Sequence, residues 1–150
     1  MTDKSNIAIA VSLDALNFNH KATYINTLID KMNELKDEGY QVVIQSNQTT
    51  TGTKQILNNL QENHGLQEPD LVVSWNNIKL NDTETGFWNK FLAFSKFNKE
   101  DIIFVAERPI SKEIAERSKI TSIDWYDYTN ADWAENGLTK CVQGKLKLAV

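Results

Sequence analysis

Tyr40-Gln41-Val42-Val43-Ile44-Gln45-Ser46-Asn47-Gln48 decides the reading of this chain, because the β-branched run Val42-Val43-Ile44 stops abruptly in short polar side chains. A brief, non-alternating run of this kind suits a strand buried on both faces of a parallel sheet. Its polar end marks where a site belongs, since open α/β sheets bind ligands beyond the carboxyl ends of their strands. Upstream, Ile25, Leu28, Ile29, Met32 and Leu35 recur at the three- and four-residue spacing of a buried helical stripe, which predicts a helix over 21–38. Gly39 can close that helix with a left-handed cap. Earlier still, Ile7-Ala8-Ile9-Ala10-Val11 is a second apolar run, and it ends in Ser12-Leu13-Asp14. Two strands joined through one helix form a βαβ unit, so Ser12, Asp14, Ser46 and Asn47 share one end of the sheet.

The same alternation continues downstream. Thr49, Thr50 and Thr51 offer N-cap oxygens to a helix over 53–63 that Gly65 ends, and Pro69-Asp70 introduces a third strand at Leu71-Val72-Val73. Gly86-Phe87-Trp88 opens a helix bearing Phe87, Trp88, Phe91, Leu92 and Ser95, whose aromatic face reads as core rather than cofactor box. Ile102-Ile103-Phe104-Val105 is a fourth strand, followed by Ala106-Glu107-Arg108-Pro109 and a short helix carrying Ile114 and Ala115. Ile120-Thr121-Ser122-Ile123 reads as a fifth strand. Strands alternating with helices predict a single α/β domain over 1–150, a Rossmann-like three-layer sandwich with a parallel sheet. Beyond residue 125, Trp125-Tyr126-Asp127-Tyr128 and Asp132-Trp133 mix aromatics with acids, either a packed final turn or an exposed interaction surface.

Composition narrows the function. A chain of 150 residues, 41% hydrophobic and 24% charged, can bury a core of its own, and its two prolines and six glycines form no linker or repeat. A formal charge of −4 opposes broad nucleic-acid binding and makes a protein partner or self-association the favoured kind of contact. The apolar run after Met1-Thr2-Asp3-Lys4-Ser5 is too short to span a membrane and lacks a signal-peptide layout, so the expected location is cytoplasmic. The lone Cys141 excludes an internal disulfide, and two distant histidines argue against structural zinc. A generic nucleotide-binding protein ranks last, as no glycine-rich phosphate loop is present.

In order and content, these strand ends resemble the four motifs of the haloacid dehalogenase-like phosphohydrolases, from about Ile7 to Asp124. The family's first motif is an apolar strand ending in Asp-x-Asp; here Val11-Ser12-Leu13-Asp14 keeps the second acid and has Ser12 at the nucleophile's place. The run from Gly39 to Gln48 resembles the second motif in its capless form, as in polynucleotide 3′-phosphatases, with Ser46 as the phosphate-binding hydroxyl. Lys79 is the nearest lysine for the third motif. Ala106-Glu107-Arg108-Pro109-Ile110-Ser111 follows the fourth, with Glu107 as its surviving acid and Ser111 at the second acid's place.

The resemblance implies catalytic roles for Asp14, Ser46 and Lys79, ligand contacts from Ser12, Ser46, Asn47 and Arg108, and Mg²⁺ held by Asp14 and Glu107. It also implies a minimal cap or none, because the links after Asp14 and Ser46 are short, leaving an open pocket suited to a large ligand. Serine is a poor nucleophile without an adjacent base, and neutral oxygens from Ser12 and Ser111 weaken a site for a hard cation. The expectation is therefore a degenerate member, impaired in catalysis, that binds a partner or a phosphorylated ligand. The alternative is an active Mg²⁺-dependent phosphatase of nucleotides or polynucleotide ends using Asp14. Each residue also has a plain structural role open to it: Asp14 can cap a loop, Ser46 and Asn47 can close a turn, and Glu107-Arg108 can be a solvated pair.

Overall fold

A computed structural model describes residues 4–16, 22–124 and 131–147. Five strands, β1 (Ala8–Ser12), β2 (Gln41–Gln45), β3 (Leu71–Val73), β4 (Ile102–Ala106) and β5 (Thr121–Asp124), form one sheet in the order β3-β2-β1-β4-β5. Every pairing is parallel, with Ala10 opposite Val43 on one side and Phe104 on the other. Central strands β1 and β4 are buried along their whole length, whereas the edges β3 and β5 have only three and four residues. Short edges leave little backbone open to stray pairing.

Among the described residues, six α-helices cover the two faces: α1 (Ala22–Asp37), α2 (Thr50–His64), α3 (Trp75–Ile78), α4 (Phe87–Ser95), α5 (Pro109–Arg117) and α6 (Ala131–Lys147). The division follows strand alternation. Ile9, Val11, Val42, Ile44, Ile103 and Val105 point to one layer, where Leu28, Ile29 and Met32 of α1, Leu57 and Leu60 of α2, and Leu138 and Val142 of α6 meet them. Ala8, Ala10, Val43, Ile102, Phe104 and Ala106 point to the other, against Ile78 of α3, Phe87, Trp88 and Phe91 of α4, and Ile114 and Ala115 of α5. The chain steps outward to β3 with helices on the first face, then crosses to β4 and β5 with helices on the second. That keeps every crossover in one hand.

The elements follow the sequence closely, with informative differences. Helix α2 starts at Thr50, three residues before the expected start, because Thr49 caps it by accepting from the Gly52 N–H at 3.2 Å. Gly39 and Gly65 follow α1 and α2 at φ of 101° and 72°, the left-handed geometry that favours glycine. Strand β5 begins at Thr121 because the Ile120 N–H is taken by the Ala115 carbonyl in the turn after α5. Helix α3 was not apparent from periodicity; its four residues are closed by the Ser74 N–H donating to Asn77 Oδ1 at 2.9 Å. Asp132 and Trp133, open in the sequence to a packed final turn or an exposed interaction surface, fall within helix α6, while Trp125 to Tyr128 lie outside the described residues. Among the described residues, no helix is long and apolar enough to cross a membrane.

Candidate functional site

All five strands are parallel, so their carboxyl ends lie on one side, and the strand order reverses between β1 and β4. The loops after those two strands, with the loop after β2 beside them, frame the crevice where such sheets bind ligands. Ser12 ends β1, buried and opposite Gln45 of β2, and a 3-10 turn over Leu13–Leu16 carries Asp14 outward. Ser46 and Asn47 leave β2, and Glu107 and Arg108 leave β4.

Ser46 is buried and fully engaged as an acceptor. Its Oγ receives the Gln48 N–H at 3.0 Å and the Thr53 hydroxyl at 2.8 Å, which folds the loop into the start of α2. With both lone pairs filled, its own proton is what remains to be donated.

Asn47 and Arg108 bridge the same pair of carboxylate oxygens. Asn47 Nδ2 lies 3.3 Å from Asp14 Oδ2 and 3.0 Å from Asp82 Oδ1, while Arg108 Nη2 lies 3.7 Å and 3.5 Å from those two atoms. The Asp82 N–H donates back to Asn47 Oδ1 at 3.0 Å, making the Asn47–Asp82 contact reciprocal. Glu107 Oε2 stands 3.7 Å from Arg108 Nε. The Asp82 side chain is 1% exposed against 30% for Asp14 and 45% for Arg108, so a buried acid supports two partly open groups. Burial raises the Asp82 pKa, the Asn47 hydrogen bond and the Arg108 charge lower it, and the Asp14 charge adds to the rise. The Ser111 hydroxyl, buried and without a geometric hydrogen-bond partner among the described residues, also lowers it as a nearby dipole.

The structure thus joins Asp14, Asn47, Glu107 and Arg108 in one contact network, with Ser12 and Ser46 at the adjoining strand ends. Lys79 is used differently. It caps α3 at φ 66°, and its Nζ lies 4.9 Å from the centre of the Trp75 ring, a cation–π contact. Asp82 was missed by the sequence reading, since Asn81-Asp82-Thr83-Glu84 carries no signal beyond that of a polar loop.

No family profile matches the sequence, and no curated protein does. Solved structures do. A Corynebacterium glutamicum protein described only as uncharacterized superposes with a TM-score of 0.70 at 14% identity, over 91% of this chain and 94% of its own. The core domain of a provisionally named phosphoglycolate phosphatase from Streptococcus pneumoniae gives a TM-score of 0.55 at 13% identity, over 83% of this chain and 84% of its own. The fold is haloacid dehalogenase-like. The UTR4 protein (Unknown transcript 4 protein) of Saccharomyces cerevisiae matches at a TM-score of 0.50 and 17% identity, over 64% of this chain and 44% of its own. At these identities the likeness is one of fold.

Within a haloacid dehalogenase-like fold, the residues here do not suit Mg²⁺. A hard cation of that size demands charged oxygens in near-octahedral array. Ser12 and Ser111 supply neutral oxygens, and Asp14, Asp82 and Glu107 all face the Arg108 guanidinium. Among the described residues, no three acid, histidine or cysteine side chains are grouped as metal ligands.

Proposed function

We propose that this haloacid dehalogenase-like domain is impaired in catalysis and works by binding at the crevice between the ends of β1 and β4. One observation carries the reading: Ser12 occupies the strand end where the resemblance places a nucleophilic carboxylate, and it is buried opposite Gln45 of β2. The carboxylate two residues further along the chain, Asp14, is tied to Asn47 and Arg108. A phosphate entering the crevice meets the Ser46 proton and Arg108, but also Asp14 and Glu107, whose negative charge opposes it. A protein partner offering a basic side chain meets those acids favourably, in keeping with a chain of charge −4. Catalysis through Asp14 is the second reading, favoured by its partial exposure at the mouth.

Hydrolysis of an aryl phosphate and a nucleotide panel, with Mg²⁺ present, separates the two readings. Wild type and Asp14→Asn are expected to match the buffer background, and a gain in Ser12→Asp would show that a competent scaffold lost its nucleophile. Turnover by wild type that disappears in Asp14→Asn would make the protein an enzyme and end the binding reading.

A further inference from the structure

We infer that a second ligand site, separate from the crevice, lies at the outer edge of the sheet between α2, edge strand β3 and α3, and takes a small monocarboxylate with a compact apolar body. The site is a pocket of about 280 Å³, near the lower bound of the roughly 300–1,000 Å³ typical of small-molecule sites. Leu57 and Val72 give it apolar walls, and Lys54 is the one cation among its lining residues. None of the crevice's charged residues lines it. The inference stands apart from the binding reading of the crevice and does not rest on it.

The chemistry of the ligand follows from which polar groups remain free. The hydroxyls that line the pocket are all engaged: Thr50 Oγ1 and Ser74 Oγ lie 2.8 Å apart, and Thr53 Oγ1 donates to Ser46 Oγ at 2.8 Å. The first turn of α2 is largely satisfied as well. The Thr50 N–H donates to Asn76 Oδ1 at 2.8 Å, the Gly52 N–H to Thr49 Oγ1 and the Thr53 N–H to the Thr49 carbonyl, so holding an anion falls to Lys54 rather than to the helix end. Asn77 Oδ1 accepts from the Ser74 N–H and hydroxyl at 2.9 and 3.1 Å, which leaves the Asn77 amide N–H groups without an acceptor among the described residues. Lys54 has no ion-pair partner there either, and the one acid of α2, Glu62, lies about two turns further along. The uncommitted groups are therefore donors, one of them charged, and they match an acceptor with a single negative charge rather than a cation or an amine. A carboxylate meets that requirement, and Leu57 and Val72 reward an apolar body attached to it.

Hexanoate titrated into isotope-labelled protein at neutral pH and fixed ionic strength, followed by amide proton–nitrogen correlation spectra, tests the assignment. Saturable shifts are expected at the amides of Thr53, Lys54, Leu57, Val72 and Asn77. Acetate, which keeps the charge but lacks most of the apolar body, should bind at least about tenfold more weakly. Lys54→Met, which keeps an aliphatic stem without the charge, should weaken hexanoate at least about threefold and leave hexanol unchanged. Hexanoate bound equally by wild type and Lys54→Met would overturn the inference, as would acetate matching hexanoate, shifts centred on Asp14 and Arg108, or no saturable shift at all. If Lys54→Met fails to fold, Lys54→Gln takes its place with the same readings. Phosphate hydrolysis by wild type would defeat the binding reading of the crevice alone, leaving this titration to decide the second site.

Discussion

Asp82 concentrates the physics of the site in one residue. It is 1% exposed, and its pKa is raised chiefly by burial despite Asn47 and Arg108. The sign of its effect on stability follows. In the unfolded chain the carboxyl ionises near 3.8, while in the folded chain it holds its proton to higher pH. Between those two values the native state binds more proton than the unfolded state, so stability falls as pH rises through the window and levels off above it. Asp82→Asn keeps an acceptor for Asn47 and removes the titration. Urea midpoints measured from pH 3.5 to 7 should show wild type losing ground to Asp82→Asn as pH rises, by at most about 1.4 kcal/mol for each pH unit inside the window. A wild type that gains on the variant over that range would mean Asn47 and Arg108 outweigh burial. Asp14, Asn47 and Arg108 were legible because each lies within two residues of a strand end. Asp82 was not, because its burial is created by loops that are distant in sequence and carries no local pattern. Lys79 shows the converse, a residue whose type suggested chemistry but whose amine is spent over Trp75.

At the scale of elements, strand β1 explains why an aromatic helix fits one face. Its first-layer residues, Ile9 and Val11, are large, while Ala8 and Ala10 on the second layer are small and face the cluster of Phe87, Trp88 and Phe91. Trp88 is wholly buried, its ring centroid 4.8 Å from that of Phe104 in a T-shaped contact, and small neighbours on β1 leave it room. Ala10→Leu should therefore cost about 1–3 kcal/mol through overpacking, read as a lower urea midpoint at unchanged m-value. An unchanged midpoint would reveal a void beside Ala10 and refute this account of the layer. The strong 3.6-residue stripe of α1 could be read directly from sequence. The stripe of α6, with Leu138, Cys141, Val142 and Leu146 against the first layer, could not, because Gly137 and Gly144 interrupt it with poor helix formers. Tertiary packing against α1 and β5 overrides that weak local preference.

Over the whole molecule, the strand–helix alternation was legible because parallel strands buried on both faces are continuous apolar runs, and connection rules leave few ways to arrange them. The same geometry dictates how the molecule comes apart. Strands β1 and β4 send alternate side chains into both layers, so neither layer has a sheet face of its own and neither can melt while the other stays packed. Leu138→Ala tests this from a distance. Leu138 is fully buried in α6 on the first face, and its truncation should cost about 2–5 kcal/mol. Under native conditions, the slowest-exchanging amides of β4 and of α4, on the opposite face, should lose protection by the same free energy as those of α1. Loss confined to α1 and α6 would mean that the two layers unfold separately, and that the shared central strands do not couple them.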